Sequence, residues 1–364
     1  MNETILMTGA TGLIGAGVLQ RMLKADSSLR AYVLVRDESL WKLNIGRWGH
    51  LGSRITPVRG DVTRPGLAID SHLRSQIKRE ITAIVHAAAN TSFSRPLEES
   101  RLANTVGTAN MLELASECAQ LRRFAYVSTA FVAGRAIGTV LEQHNGAEAG
   151  WVNAYEQSKY EAECLVRSSG TSWVIFRPST LVCRGADGVV TQINGVHRAL
   201  RIYHRGLAAM MPGTRANQFD VITADYVNDA IAQLALDERA ESHTIHLCLG
   251  KRAPSLGDLV DEAYDIWERD PEWRKRGLAR AILTDLSTYK MFERAVMDTG
   301  DPRLRSLITS LSHFVPQMAL PKCFDTTVAD ALLDFIPPPA SCYWVRMLGN
   351  LITTSWGVVD EAAA

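Results

Sequence analysis

No apolar run in this 364-residue sequence approaches the ~20 residues that a transmembrane helix needs, so we expect no transmembrane span. The N-terminus has no basic region ahead of an apolar run and is typical of a strand rather than a signal peptide. Neither sign of charge is in excess, since 39 acidic residues balance 39 basic ones. We therefore expect no nucleic acid and no anionic membrane as the main partner.

The cysteines are few, and their spacing is not that of metal ligands. The six cysteines are scattered without a CxxC pair, and no metal site is predicted. We interpret them as reduced, mostly buried thiols of a cytoplasmic protein. Hydrophobic residues make up 46% and charged residues 21%, which is typical of a globular chain. The length is consistent with one large domain or two entwined ones.

A glycine-rich turn follows the first apolar run, Thr4–Thr8, and precedes apolar residues at helical spacing. A turn between strand and helix is the context in which glycines bind a dinucleotide. The glycines permit close backbone approach, and the pyrophosphate lies on free N–H groups at the helix N-terminus. An ordinary glycine-rich turn is the alternative interpretation. The cofactor contacts predicted here are Gly9, Thr11, Gly12, Leu13, Ile14 and Gly15.

Arg36 ends the second predicted strand, Ala31–Val35, at the position that contacts the adenosine ribose in dinucleotide folds. An arginine there suits a 2′-phosphate, whereas a carboxylate would bind a free 2′-hydroxyl. Arg36 therefore predicts NADP(H), although Asp37 follows it directly. A solvated arginine at a strand end is the alternative.

Further strand ends supply residues that would line the same crevice. The predicted strands are Ile55–Val58, Ile81–Val85, Phe124–Val127 and Trp173–Phe176. The small residues at 87–89, which follow the strand Ile81–Val85, allow close approach of a ligand. The alternative is that they pack closely under a helix. The further cofactor contacts predicted are Asp61, Val62, Ala87, Ala88, Ala89, Asn104, Pro178, Ser179 and Thr180.

Tyr155 and Lys159 are four residues apart, so they share one face if Trp151–Glu161 is helical. We expect the lysine cation to favour the phenolate and to lower the pKa of Tyr155 below its usual value of ~10. The YxxxK spacing also occurs by chance on surface helices, so it gains meaning only from the rest of the chain.

In their order along the chain, these motifs resemble the extended short-chain dehydrogenases/reductases. The sequence segments HAAANTSF, YVSTAFVAG, YEQSKYEAE and FRPST resemble one branch of this superfamily, the thioester reductases. That branch includes fatty acyl-CoA reductases, the reductase domains of carboxylic acid reductases, and the releasing domains of nonribosomal peptide and polyketide synthases. The resemblance covers roughly residues 4–250, and KCFD at 322–325 loosely resembles the C-terminal region of fatty acyl reductases.

The resemblance implies an α/β fold: a Rossmann-type doubly wound parallel sheet with a smaller, mainly helical substrate-binding domain. We place the NADP-binding domain at residues 1–182 plus 219–249 and the substrate-binding domain at residues 183–218 plus 250–364. The segment Thr180–Arg184 lacks the glycine that the family usually has there.

The resemblance also implies a catalytic set of Thr129, Tyr155 and Lys159, with Lys159 also on the cofactor ribose. Substrate contacts are expected at Asn90, Ala130 and Phe131.

The function implied is NADPH-dependent reduction of an acyl thioester, carried by coenzyme A or by a carrier protein, to an aldehyde. Whether a second hydride then gives an alcohol is left open, as is the oligomeric state. One alternative is a dehydrogenase or epimerase of the same superfamily that acts on a ketone, a sterol or a nucleotide-sugar. Another is a non-catalytic NADP-sensing scaffold, although such proteins often lose the Tyr or the Lys, and both are present here.

Overall fold

A seven-stranded sheet, parallel throughout, organises the chain. The computed structural model describes residues 3–37, 39, 41–42, 45–144 and 146–358. The described strands are β1 (Thr4–Thr8), β2 (Arg30–Val35), β3 (Ile55–Arg59), β4 (Ala83–His86), β5 (Arg123–Val127), β6 (Gly138–Val140), β7 (Trp173–Pro178), β8 (Thr180–Cys183), β9 (Met210–Pro212), β10 (Val221–Thr223), β11 (Thr244–Leu247), β12 (Ile282–Thr284) and β13 (Lys322–Phe324).

The order of strands in the main sheet is β11-β7-β5-β4-β1-β2-β3. The chain runs from β1 outward through β2 to β3, and then returns to the other side of β1 with β4. The direction of winding therefore reverses between β1 and β4, and in such sheets the ligand crevice lies beyond the carboxyl ends of the strands at this reversal. The predicted α/β, doubly wound parallel sheet is confirmed.

Both faces of the sheet are covered, which explains why its strands are continuous apolar runs. In β1, Ile5 and Met7 belong to one hydrophobic core and Leu6 belongs to the other, because successive side chains of a strand point to opposite faces. All three are fully buried.

Helices cover the sheet and build most of the C-terminal third. They are α1 (Leu13–Ala25), α2 (Ser71–Glu80), α3 (Leu97–Arg101), α4 (Gly107–Ser116), α5 (Ala154–Ser168), α6 (Gly195–His204), α7 (Ala224–Leu234), α8 (Leu256–Trp267), α9 (Pro271–Lys275), α10 (Leu286–Asp298), α11 (Pro302–Ser312), α12 (Val315–Ala319), α13 (Thr327–Leu332) and α14 (Trp344–Thr353). A π-helical turn, Leu102–Val106, joins α3 to α4. Side-chain caps start several helices, and Ser255 caps α8 by accepting from the Asp258 N–H at 3.1 Å.

Three small parallel pairs attach later segments to earlier ones: β8 with β10, β9 with β12, and β6 with β13. The short strand β10 pairs with β8 outside the main sheet. The pair β6–β13 joins residues 138–140, near the end of β5, to residues 322–324. The domain boundaries proposed from the sequence stay a prediction.

All six cysteines are free, as expected, but only Cys118, Cys183 and Cys248 are buried. Within the part of the chain that the structure describes, no helix combines the length and the apolar character needed to cross a membrane. The cytoplasmic location stays a prediction.

Candidate active site

The glycine turn after β1 is packed so closely that side chains are excluded from it. Gly9 has φ of +73°, and a β-carbon there would lie 2.6 Å from the carbonyl carbon of Ala87. A β-carbon on Gly15 would lie 2.2 Å from the Gly9 oxygen. Gly12 is the N-cap of α1, and as a glycine it has no side chain that could accept hydrogen bonds from the first turn of the helix. The N–H groups of the first turn of α1 are therefore available to an anion.

A buried polar cluster that the sequence analysis missed holds β1 and β4 together beneath this turn. His86, fully buried, lies 2.7 Å from the Thr8 hydroxyl through Nδ1 and 3.1 Å from the Thr108 hydroxyl through Nε2. The Ala88 N–H donates to Thr8 Oγ1 at 3.1 Å. Burial lowers the pKa of His86 to about 3, and the nearby Lys159 cation acts in the same direction. His86 is therefore neutral, and through the Thr8 and Thr108 hydroxyls it links the end of β1 to α4.

The ribose and adenine positions lie at the neighbouring ends of β2 and β3. Arg36 is exposed directly after β2. Asp61 Oδ1 accepts from the N–H of Thr63 at 2.9 Å and from its hydroxyl at 2.8 Å, so one carboxylate oxygen is engaged locally. The Val62 carbonyl accepts from Asn110 Nδ2 at 2.7 Å. Residues 61–62 are thus held in one conformation at this edge of the sheet.

Asn104, expected as a cofactor contact, is 1% exposed and is engaged by the protein itself. Its Nδ2 donates to the Asn90 carbonyl at 3.0 Å and to Ser158 Oγ at 2.9 Å, and its Oδ1 accepts from the Asn90 N–H at 2.8 Å. The geometry therefore gives Asn104 a positioning role, because it joins the loop after β4 to the middle of α5.

Thr129 and Tyr155 meet at the carboxyl end of β5. Thr129 starts the 3-10 turn Ala130–Ala133, and its hydroxyl lies close enough to the Tyr155 phenol to favour the phenolate. Tyr155 lies in the first turn of α5, whose start is fixed by Asn153 accepting from the Glu156 N–H at 3.0 Å. The two hydroxyl groups are buried side by side although they are far apart in the sequence.

Lys159 lies one turn further along α5 and is 1% exposed. Its Nζ donates to the Val127 carbonyl at 2.7 Å and lies 4.2 Å from the centre of the Tyr126 ring. Burial lowers the pKa of Lys159 to about 7, although the Glu163 carboxylate opposes that shift.

The expectation that Lys159 lowers the pKa of Tyr155 is wrong in this structure. Burial instead raises the pKa of Tyr155 to about 12, although the nearby Thr129 hydroxyl acts in the opposite direction. Desolvation decides the outcome because both groups lie in a region of low dielectric, where the charged form of each is disfavoured.

A buried ion pair holds α5 against the neighbouring strand β7. Glu163 and Arg177 are both fully buried, and Arg177 donates to the two carboxylate oxygens at 2.8 and 2.6 Å. Arg177 lowers the pKa of Glu163, although burial opposes that shift. This pair connects α5 to β7, whose end carries Pro178 and precedes Ser179 and Thr180.

The segment after β7 is fixed in part by a residue of a later segment. Ser179 donates to Asp220 at 2.5 Å, and Asp220 also accepts from the N–H groups of Leu249 at 3.1 Å and Gly250 at 2.8 Å. The Thr180 hydroxyl, by contrast, is buried and has no hydrogen-bond partner among the residues that the structure describes. An unsatisfied hydroxyl at this strand end fits a position that a bound group completes.

A second buried chain of polar groups, also missed from the sequence, links the catalytic helix to the C-terminal region. Glu156 accepts from the Val152 N–H at 2.8 Å and from Gln317 Nε2 at 2.5 Å. Gln317 Oε1 accepts from Lys322 Nζ at 2.7 Å, and Lys322 also donates to the Gly134 carbonyl. The chain thus joins the residue after Tyr155 to the turn that follows Thr129. Burial raises the pKa of Glu156 and lowers that of Lys322.

Aromatic rings cover the phenol of Tyr155. Phe93 stacks on Tyr155 with ring centroids 5.3 Å apart, and it contacts Phe131 edge-on at 6.1 Å. Phe131, an expected substrate contact, therefore lies in this aromatic group. Ala130 belongs to a small buried cluster with Val140, Cys248 and Phe324.

Comparison with known proteins is consistent with this geometry. The model of the NAD-binding family described as "Male sterility protein" matches residues 7–231. An alcohol-forming fatty acyl-CoA reductase of Simmondsia chinensis is 31% identical over 165 residues, which are 39% of this chain and 34% of the reductase. An isonitrile lipopeptide synthase of Streptomyces coeruleorubidus is 26% identical over 340 residues, 83% of this chain and 22% of the synthase. The matched stretch thus spans about a third or less of the length of these curated relatives.

A solved structure, the terminal R domain from the myxalamid PKS-NRPS biosynthetic pathway, matches with a TM-score of 0.77 and 26% identity. The match covers 99% of this chain and 93% of that one. The resemblance to the thioester-reductase branch is confirmed. Because the family model covers more than half of the residues, the chain belongs to the NAD-binding family of male sterility proteins.

Proposed function

We propose that this protein is an NADPH-dependent reductase that converts an acyl thioester to an aldehyde. The observation that carries the proposal is the buried pair of hydroxyls, Thr129 and Tyr155, at the carboxyl end of β5. They lie on the sheet edge that also carries the glycine turn, because β1, β4 and β5 are parallel neighbours. Relatives named as fatty acyl-CoA reductases and as the terminal R domain of a PKS-NRPS pathway support the same substrate class.

The residues present fit a dinucleotide phosphate. Gly9, Gly12 and Gly15 leave room for the pyrophosphate beside the uncapped start of α1. We assign the 2′-phosphate contact to Arg36, which is exposed directly after β2, and the unsatisfied Thr180 hydroxyl offers a hydrogen bond near the end of β7. We assign the adenine side to residues 61–62 and the nearby backbone contacts to residues 87–89. When bound, NADPH supplies the hydride for the substrate carbonyl carbon.

The protein's own residues stabilise the oxygen of that carbonyl and protonate it. Hydroxyl donors that point at a developing oxyanion act most strongly in the transition state. Thr129 and Tyr155 provide two such donors in a buried site. Because the pKa of Tyr155 is raised to about 12, the phenol holds its proton at neutral pH and acts as the general acid.

Lys159 has a positioning and charge role in this scheme. Its Nζ is held by the Val127 carbonyl, two residues before Thr129, and its pKa of about 7 allows both protonation states near neutral pH. When Lys159 is protonated, its positive charge stabilises the negative charge that remains on the Tyr155 phenolate after proton transfer.

The thioester then resolves by ordinary carbonyl chemistry. Addition of hydride to carbon and of a proton to oxygen gives a hemithioacetal, which loses the thiol and leaves an aldehyde. A second reduction of the aldehyde to an alcohol uses the same donors. We propose that the thioester is supplied by coenzyme A or by a carrier protein, and that the C-terminal helices contribute the substrate-binding region.

The test is NADPH oxidation by the purified protein with acyl-CoA, acyl-pantetheine, ketone and nucleotide-sugar substrates, with product identification by mass spectrometry. We expect NADPH to be consumed with acyl thioesters and an aldehyde or alcohol to form. Consumption with ketones alone, or tightly bound NAD with epimerisation of a nucleotide-sugar, would replace this function by that of a dehydrogenase or epimerase. Binding of NADPH with no turnover of any substrate would instead favour a sensing scaffold.

A further inference from the structure

An apolar cavity of about 40 Å³ lies in the C-terminal half of the protein, where α6, α8 and α14 come together. Its walls are mostly aliphatic and aromatic side chains, and they include Val196, Leu259, Ala263, Trp267 and Phe314. A water molecule needs about 10–15 Å³ of such space together with polar partners. This cavity has the room, but its surface is almost wholly apolar, so it suits a hydrocarbon group better than water.

Two phenyl rings separate this cavity from the catalytic phenol. Phe314 lines the cavity, and its ring stacks on Phe93 with centroids 6.3 Å apart. Phe93 in turn stacks on Tyr155 at 5.3 Å. Phe219, a further lining residue, meets Phe314 edge-on at 6.1 Å. The path from Tyr155 to the cavity is therefore apolar along its whole length.

The position of Phe314 is fixed by the catalytic helix itself. The carbonyl of His313, the preceding residue, accepts from Asn153 Nδ2 at 3.3 Å, and Asn153 is the N-cap of α5. One turn later, Gln317 donates to Glu156. The segment that carries Phe314 is thus attached to the same helical turn as Tyr155. The position of the Phe314 ring relative to the Tyr155 phenol is therefore fixed.

Resting on the function proposed above, we propose that the cavity binds the distal end of an unbranched aliphatic acyl chain and that Phe314 sets the chain length the enzyme accepts. An apolar lining excludes the amide groups of a peptidyl chain, because each would be buried without a hydrogen-bond partner. Each methylene transferred into such a site favours binding by about fourfold. The present volume admits only the end of a chain, and the Phe314 ring at the edge of the cavity narrows the space left for the preceding methylenes.

The first experiment measures kcat/KM for a series of saturated acyl-CoA thioesters from acetyl to hexadecanoyl. Phe314→Ala is expected to raise the ratio of kcat/KM for the longest chains to that for the shortest chains by at least tenfold. Phe292→Ala is the matched control, because Phe292 lies in α10, packs on Tyr289 and does not line the cavity. This control is expected to leave the chain-length profile as it is in the wild type.

The second experiment measures binding without turnover, using alkyl-CoA thioethers, which have no carbonyl to reduce. Wild-type affinity is expected to rise by about fourfold per methylene over the chain lengths that reach the cavity. Ala263→Leu fills the cavity and is expected to end this rise at a shorter chain. An affinity independent of chain length in the wild type would overturn the assignment of the cavity.

The outcomes separate the two proposals. If acyl-CoA is reduced but Phe314→Ala has the wild-type chain-length profile, the role of Phe314 is overturned and the reductase function stands. If no thioester is reduced while thioether affinity still rises with chain length, the reductase function is overturned and the apolar site stands.

Discussion

Gly9 directly follows β1 and Ala87 directly follows β4, yet a β-carbon on Gly9 would lie 2.6 Å from the Ala87 carbonyl carbon. We expect Gly9→Ala to force the ends of β1 and β4 apart and to weaken NADPH binding by at least tenfold, as measured by titration calorimetry. Gly170→Ala is a matched control because Gly170 has nearly the same φ, +72° against +73°, and no heavy atom within 4 Å of the added carbon.

The control separates backbone strain from collision. Alanine in the left-handed region costs about 1 kcal/mol, and both variants bear that cost. The free energy of unfolding of Gly9→Ala is expected to fall further than that of Gly170→Ala. Equal losses in both variants, with NADPH affinity preserved, would show that the close approach at Gly9 does not matter.

Tyr155→Phe removes the proposed general acid while keeping the ring that stacks on Phe93. We expect kcat to fall by about 10²- to 10⁴-fold with little change in NADPH affinity, because general acid catalysis contributes about that much. Tyr160→Phe, on the same helix, is the control and should retain activity. Near-wild-type turnover of Tyr155→Phe would remove the phenol from the chemistry.

Arg36→Ala tests the choice of cofactor. A charge-assisted hydrogen bond to phosphate is worth about 1.5–3 kcal/mol, so kcat/KM with NADPH is expected to fall by about 10- to 100-fold while that with NADH changes little. Arg59→Ala removes an exposed arginine from the end of the adjacent strand and serves as the control. Equal losses with NADPH and NADH would contradict a contact with the 2′-phosphate.

Lys322→Met tests the buried chain that connects Glu156, Gln317 and Gly134. Glu156 and Lys322 are buried and bridged by Gln317, so removing the lysine leaves the carboxylate without its nearby counter-charge and lowers the free energy of unfolding. We expect a lower midpoint of urea unfolding for Lys322→Met, and a partial recovery when Glu156→Gln is added.

The same variants report on catalysis. Because the chain also holds the turn after Thr129, kcat of Lys322→Met is expected to fall more than its affinity for NADPH. Strictly additive effects of the two substitutions on unfolding would show that the two charges do not interact.

The buried lysine predicts a specific dependence of stability on pH. The pKa of Lys159 is about 7 in the folded protein against 10.5 for an ordinary lysine, so the unfolded chain binds more protons between these values. The cost of burying Lys159 is therefore complete below pH 7 and declines as the pH rises towards 10.5. The excess thermal stability of Lys159→Met over the wild type should shrink from pH 7 to pH 10. A constant excess across this range would mean that Lys159 titrates normally.

Local patterns in the sequence were enough to predict the dinucleotide-binding half of the fold. Apolar runs that end in small or polar residues predicted the strands of the main sheet, and the run Thr4–Thr8 has the predicted bounds. The order of the motifs indicated the family, and it named Thr129 and Tyr155, which are both buried and lie close together in the structure. These features depend on periodicity and spacing, which lie within a few residues of one another along the chain.

Other features depended on residues far apart in the sequence, and only the tertiary structure decided them. The pKa of Tyr155 is raised rather than lowered because distant segments bury it. Asn104 joins Asn90 to Ser158 through its side-chain amide, a link that no local pattern indicated. Sequence alone thus determined which groups are available for chemistry. Their protonation and their partners were decided by packing, because desolvation and hydrogen bonding depend on every segment that surrounds a group, including those more than a hundred residues away.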